Sequence, residues 1–370
     1  VASIGLGIVG SGYMGKAHAV AHAAVGAVFD TGLRPRLEMV ASSSAASAER
    51  YRAAFGFARA AADWRALVED RAVEAVVIAS PPETHLEIVR AAADLGKPVF
   101  CEKPLGASLA DAEAMVEAVE AACVVHMIGF NYIRTPASRY VRALLDEGAI
   151  GDVTWFRGEH TEDFYADPTV PATWRASGAA TGTMGDLAPH MINAALALVG
   201  PIQSVMAEIE MVHEERGGVP VTNDDQAQMM CRFASGVLGQ MAFSRVATGR
   251  KMGYAYEIVG TKGAIRFDQE DQNALWLYLA EGPEAQRGFR KILTGPAHPD
   301  YAAFCQGAGH GTGYQDQIVV EARDFLAAIE AGQSMWPTFR DGLAVARVID
   351  AARRSHAARA WVDIEEEIGE

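Results

Sequence analysis

Ile4–Val9 is a short apolar run, and Gly10-Ser-Gly12-Tyr-Met-Gly15 follows it at once and opens a helical stretch, Met14–Val25. That placement limits the folds open to the chain. Gly10 permits a sharp turn. Gly12 lacks the Cβ that would keep the backbone away from a ligand, and Gly15 lets the helix pack tightly on the strand. The helix N-terminus then presents N–H groups and a partial positive charge. Three such glycines alone also suit an ordinary tight turn. At the first strand-to-helix turn of an alternating pattern they predict a bound dinucleotide.

The alternation is there. Apolar segments at Leu37–Ala41, Ala75–Ala79, Pro98–Cys101 and His126–Phe130 are interleaved with helical patterns at Ala46–Phe55, Thr84–Ala93 and Ser108–Ala122. Strands that are apolar throughout need cover on both faces, which predicts a parallel, doubly wound α/β (Rossmann) sheet. After about Asn131 the rhythm changes. A helix at Ser138–Glu147 and a strand at Val153–Arg157 lead into a polar loop with Pro168, Pro171 and Trp174. A further helix lies within "GTMGDLAPHMINAALALVG". Residues 202–279 then read mainly as strands separated by glycine turns, followed by helices around Gln315–Ala331 and Arg340–Ala357. The expectation is a Rossmann domain over 1–130 and an α+β domain over 131–370 with a large, mostly antiparallel open sheet. A chain of 370 residues suits two such domains.

A formal net charge of −15 excludes nucleic acid and anionic membrane as partner classes. No apolar run approaches the roughly 20 residues that span a bilayer. The opening "ASIGLGIVG" has no charged region and cleavage site, so no signal peptide and a cytoplasmic location are expected. Cys101, Cys123, Cys231 and Cys305 form no CxxC pair, which predicts buried reduced thiols. His18 and His22 have metal-like spacing but no third ligand, so no metal is expected; Lys16 and His18 read as helix surface. At the end of the second strand, where a carboxylate commonly holds the adenosine ribose, the chain has Ser42-Ser43-Ser44. Ser42 can bond a ribose hydroxyl or a 2′-phosphate. No Arg stands beside it, and Arg50 is the nearest one downstream, so the choice between NAD and NADP stays open at this stage.

Three more segments join the glycine loop: "ASPPETH" (Ala79 to His85), "CEKPLG" (Cys101 to Gly106) and "GDLAPH" (Gly185 to His190). With it, in this order, they resemble the Gfo/Idh/MocA family of NAD(P)-dependent oxidoreductases across essentially the whole chain. "GFNYIRTP", "GHGTGYQDQ" and "AVGAVFDTGLRPRLEMV" are similar to the branch acting on sugars and cyclitols, which includes inositol, L-glucose and levoglucosan dehydrogenases. The resemblance implies hydride transfer between a nicotinamide and a hydroxyl or keto carbon of a sugar or cyclitol. It implies His190 as general base, Asp186 binding substrate or tuning the imidazole, and Lys103 on the reacting oxygen in a proton relay with His190. Gly10, Gly12, Tyr13, Met14, Gly15, Ser42, Ser80, Pro81, Thr84, His85, Glu102 and Lys103 would line the cofactor, and no metal is needed. Asn131, Arg134, His160, Trp174 and Asn193 are the substrate candidates; Asn193 stands where many relatives carry Asp.

Other roles stand beside these. Asp186 and Thr84 also suit helix caps, and Pro189 suits a first turn. Glu159, His160 and Asp163 equally suit a solvated loop. Trp174 and Tyr314 suit core packing, and His310 is a candidate for reaching the cleft. A homodimer or homotetramer through the C-terminal sheet is expected. Two alternatives remain at this stage: a relative that keeps its NAD and cleaves glycosides or oxidises and re-reduces one sugar, and a non-catalytic nucleotide-binding regulator.

Overall fold

The computed structural model describes residues 2–364; the side chains of Trp174 and Ala179 lie outside that description. The chain divides into two compact units. One runs to Asn131 and takes in Gly313–Ala344, and the other comprises Tyr132–Thr312 and the chain from Val345 onward.

The first unit alternates strictly: β1 (Ala2–Val9), α1 (Tyr13–Val28), β2 (Leu33–Ala41), α2 (Ala45–Phe55), β3 (Arg59–Ala61), α3 (Trp64–Glu69), β4 (Ala75–Ile78), α4 (His85–Asp94), β5 (Val99–Glu102), α5 (Leu109–Ala121) and β6 (His126–Gly129). All six strands are parallel, in the order β3-β2-β1-β4-β5-β6. This is the doubly wound order, and its direction of progression reverses between β1 and β4, where such sheets bind ligands. β4 and β5 are buried throughout, as the apolar run of β4 and of β5 up to Cys101 requires. β3 and α3 escaped the sequence reading because three half-exposed residues and a six-residue helix carry too little periodicity.

The sequence boundary at 130/131 lies one residue from the observed change at Asn131/Tyr132; the difference is Gly313–Ala344, whose helix Tyr314–Ala331 packs into the first unit. It buries Ile318, Val319, Ala322, Phe325 and Leu326. Phe325 meets Phe100 of β5 edge-on at 5.7 Å, and the Gln315 amide donates to the Ala17 carbonyl at 2.9 Å. A return of this length leaves no local signature.

Two buried histidines make this unit acid-sensitive. Burial, with His18 close by, pushes His22 down to about 3. Burial pushes His126 down to about 4. Below the ordinary histidine value the unfolded chain therefore binds protons that the folded chain does not. The stability these groups hold is complete above about pH 6.5 and is lost as pH falls from there toward about 4 and 3, by up to about 1.4 kcal/mol per pH unit for each group. His22→Asn keeps a donor near the Nδ1 position without titrating. It is expected to flatten the fall of the urea midpoint between pH 6.5 and 4, and an unchanged slope contradicts this.

The second unit opens with α6 (Pro136–Asp146) and β7 (Val153–Thr161), then α7 (Thr183–Asp186) and α8 (Ala188–Leu198). β8 (Ile202–Glu210), the small hairpin β9–β10 (Glu215–Arg216, Val219–Pro220), β11 (Gln226–Phe233), β12 (Leu238–Ser244), β13 (Gly253–Gly260), β14 (Gly263–Asp268), β15 (Ala274–Leu279) and β16 (Arg290–Leu293) follow. The chain ends in α9 (Tyr301–Phe304), α10 (Tyr314–Ala331), α11 (Phe339–Ala358) and β17 (Val362–Asp363). Nine strands form one sheet, ordered β16-β15-β14-β13-β7-β12-β11-β8-β17. Only the β7–β12 pair is parallel; every other pair is antiparallel. β11 shows the reason one face is left open: Ala227, Met229, Cys231 and Phe233 are buried, while Gln228, Met230 and Arg232 point out. Among the described residues no helix is long and apolar enough to cross a membrane.

Candidate active site

At two of its glycines the loop after β1 leaves no room for a side chain. Gly10 has φ +120°, and a Cβ there would lie 2.3 Å from the Ala79 carbonyl oxygen. A Cβ on Gly15 would lie 2.2 Å from the Gly10 oxygen. Gly12 faces open space and caps α1 without a side-chain acceptor. α1 thus begins without a side-chain cap, beside open space at Gly12 that a larger residue would narrow, which fits a pyrophosphate. Tyr13 is 66% exposed at the loop tip. Its ring lies 5.8 Å from that of Tyr314, whose hydroxyl donates to the Met14 sulfur at 3.3 Å.

Two loops follow at the carboxyl ends of β4 and β5. The Ser80 and Thr84 hydroxyls are 2.6 Å apart, and Thr84 donates back to the Pro81 carbonyl at 2.7 Å. Thr84 therefore makes no side-chain cap for α4, contrary to that reading of it. His85 is fully buried, with Nε2 2.9 Å from the Ser80 oxygen and Nδ1 3.1 Å from the Pro104 oxygen. Burial holds its imidazole below the ordinary histidine range. Its two ring nitrogens tie one loop to the other, so it is not an open ligand group. The Lys103–Pro104 peptide bond is cis.

Glu102 is almost fully buried, and its Oε1 accepts from His18 Nε2 at 2.8 Å. The surface reading of His18 is thereby corrected: the side chain is fully buried and edge-on to Phe100 at 4.9 Å. The signal was present, because His18 and His22 share the helical stripe of Gly15 and Ala19. His22 Nδ1 donates to the His18 carbonyl at 2.9 Å. Among the described residues no group of three or more His, Cys, Asp or Glu is placed to hold a metal ion. Cys101 and Cys231 are buried, and burial pushes the Cys231 thiol up to about 12. Cys123 is exposed and Cys305 half-buried, unlike the four buried thiols expected. Each of these two lies at an irregular position: Cys123 has φ 52° just after α5, and Cys305 leads into the His310 loop, 3.1 Å from its Nδ1.

In the second unit, His190 sits on the first turns of α8, 5% exposed. Pro189 occupies the first turn as expected. Asp186 ends α7, with Leu187 between it and α8, and does not cap α8; its Oδ2 accepts from Arg175 Nε at 3.2 Å. The His190 ring lies 4.5 Å from Tyr132 and 5.5 Å from His160. Tyr254 completes the cluster at 5.2 Å from Tyr132, and burial pushes its phenol well up. No motif marked this tyrosine in "YAYEIVG". Both ring nitrogens of His160 are engaged, with the Leu187 oxygen at 2.8 Å and Glu162 at 3.1 Å. His160 therefore holds the α7–α8 junction and is not open to a sugar hydroxyl.

Asn193, one turn beyond His190, is buried, and its Oδ1 has no hydrogen-bond partner among the described residues. Arg134 is buried; Asn131, in the first unit, donates to Gln317 at 2.9 Å. Strand alternation puts Glu159 on the opposite sheet face from His160, where it pairs with Arg250. Asp163 pairs with Lys251 at 2.7 Å. The Trp174 side chain lies outside the described set.

A parallel, doubly wound sheet with an open glycine loop at its first strand-to-helix turn is the architecture of a dinucleotide-binding domain. Residues 4–130 match the oxidoreductase family with an NAD-binding Rossmann fold, and residues 138–266 match the GFO/IDH/MocA C-terminal domain. The chain belongs to the Gfo/Idh/MocA family. It is 38% identical to the levoglucosan dehydrogenase of Pseudarthrobacter phenanthrenivorans over 98% of each chain. It is 29% identical to the inositol 2-dehydrogenase of Rhizobium meliloti over 98% of this chain and 99% of that one. The structure of a levoglucosan dehydrogenase with NADH and levoglucosan superposes with a TM-score of 0.96, at 37% identity over 98% of this chain and all of that one.

Proposed function

We propose that the protein oxidises a ring hydroxyl of a sugar, with levoglucosan and similar sugars ahead of cyclitols as substrates. The observation supporting this is the end-to-end likeness to levoglucosan dehydrogenase at 38% identity, against 29% for the inositol enzyme. The bound nicotinamide supplies the hydride acceptor. His190 takes the hydroxyl proton as the hydride leaves carbon, since an imidazole titrates near working pH. Asp186 orients the imidazole or the substrate, and Lys103 donates to the reacting oxygen. Asn193 accepts a sugar hydroxyl: its buried Oδ1 has no protein partner among the described residues, and buried acceptors are rarely left unpaired.

The test is a panel of levoglucosan, aldoses and inositols, each with NAD⁺ and NADP⁺, followed by absorbance of the reduced nicotinamide. Turnover with levoglucosan or an aldose above any inositol is expected. Protein that binds NADH yet reduces no cofactor with any of them overturns the reading.

The open face of the nine-stranded sheet supports self-association. Met206, Met230 and Trp276 are exposed there, around a concavity of about 690 Å³ that also holds Arg157, Glu159, Glu257 and Arg266. Apolar side chains ringed by charges suit a contact between copies. Light scattering is expected to give the mass of two or four chains, and a single-chain mass contradicts it.

A further inference from the structure

A proline interrupts the helical run that carries Asp186 and His190. Pro189 has no N–H to give the Gly185 carbonyl, and just before it the chain is divided into α7 and α8, with Leu187 between them. Leu187 starts α8 without a side-chain cap. The offset between Asp186 and His190 is therefore not set by one continuous helix. It depends on what holds Leu187.

His160 holds it. The Leu187 carbonyl accepts from His160 Nδ1 at 2.8 Å and from the His190 N–H at 3.3 Å. A carbonyl only accepts, so His160 Nδ1 carries a proton and one edge of the ring is fixed. Glu162 Oε1 meets Nε2 at 3.1 Å and fixes the other edge. Glu162 is anchored through its own backbone: its N–H donates to the Ser244 carbonyl at 2.7 Å, and its carbonyl accepts from the Ala247 N–H at 2.9 Å. The support behind the ring is a strand, which holds a side chain more exactly than a loop does. β7 lies inside the sheet between β12 and β13, with His160 opposite Phe243 on one side and Tyr254 on the other. The buried His160 ring meets Tyr132 edge-on at 5.6 Å and Tyr254 at 5.7 Å, and Tyr132 packs on against His190. All of these residues belong to the second unit.

We infer that His160, oriented by Glu162, is a positioning residue for hydride transfer: through the Leu187 carbonyl it sets where His190 stands relative to Asp186. The inference rests on the base role proposed above for His190. A base displaced by about 1 Å can cost about 100-fold in rate, so the hold on Leu187 has a kinetic consequence.

Two substitutions in the whole chain separate this role from packing. His160→Asn keeps a donor near Nδ1 for the Leu187 carbonyl, and His160→Phe keeps the ring and loses the donor. In sugar oxidation, His160→Phe is expected to lower kcat at least about 30-fold while KM for the sugar changes less than about 3-fold. His160→Asn is expected to bring kcat back to within about 10-fold of wild type. The opposite order, with Phe nearer to wild type than Asn, is what ring packing alone requires and overturns the inference, as does an unchanged kcat in both. If the Phe variant does not fold, Glu162→Ala decides. A kcat lowered about 5-fold at unchanged KM supports the inference, and an unchanged kcat overturns it. Crystal structures of the variants read the placement without any turnover. The Leu187 carbonyl and the His190 ring are expected to keep their places in His160→Asn and to move by about 1 Å in His160→Phe. Wild-type protein that oxidises no sugar removes the proposed function, whereas a His190 ring that stays in place in His160→Phe removes this inference.

Discussion

His190→Ala is expected to lower kcat for sugar oxidation at least about 100-fold, the usual cost of removing a general base. The affinity for NADH is expected to stay within about 2-fold, because the cofactor proposal places no binding role on His190. The side chain packs against Tyr132 at 4.5 Å, so a thermal melt belongs beside the kinetics. A stable variant with near-normal kcat removes His190 from the base role. Asn193→Ala in the same assay is the useful contrast. A residue that holds substrate raises KM more than it lowers kcat.

Asp225→Ala is expected to cost about 3–5 kcal/mol of stability in the second unit, because it strands buried cations. Asp225 is fully buried. Its Oδ1 accepts from Arg245 Nε at 2.8 Å, and its Oδ2 accepts from the N–H groups of Val212 and His213 at 2.9 Å each. Arg216, also buried, lies 3.6 Å away, and its guanidinium sits over the Tyr165 ring at 4.1 Å. Arg245 continues the network to the Arg175 carbonyl at 2.7 Å and to Asn223 at 2.8 Å. Asn223 in turn donates to the carbonyls of Arg175 and Gly178 at 3.0 Å each. This network fixes the loop that brings Arg175 to Asp186, so the variant is expected to lose sugar turnover along with stability. Urea unfolding reads the stability directly. Asp225→Asn keeps an acceptor and is expected to cost less. A midpoint unchanged in both variants contradicts the role given to this carboxylate.

The glycine loop was legible because its chemistry is local. Gly10, Gly12 and Gly15 act within six residues of chain, and at Gly10 and Gly15 the fold leaves no room for a Cβ. The alternation of apolar strands and helices was legible for the same reason. Long-range returns were not. α10 joins the first unit across about 180 residues of intervening chain, and nothing in its own pattern of buried residues says which sheet it covers. The Asp225–Arg245–Asn223 network was equally silent, because polar residues in strands and loops read as surface until their partners are seen. His18 was legible in principle. Its place on an Ala/Gly stripe outweighs its polarity, and Glu102 supplies the partner that burial demands. The roles of Glu159 and His160 turned on one step of strand alternation. One faces the open side of the sheet and the other the α7–α8 junction, although they are neighbours in sequence.

Hydride transfer from a sugar carbon is the central claim, and isotope transfer tests it most directly. Levoglucosan carrying deuterium on its ring carbons is incubated with the protein and NAD⁺, and the reduced cofactor is examined by NMR. The expected result is one deuterium at C4 of the dihydronicotinamide, together with a ketosugar. Reduced cofactor without deuterium, or a transformed sugar with no ketone and no reduced cofactor, contradicts the account.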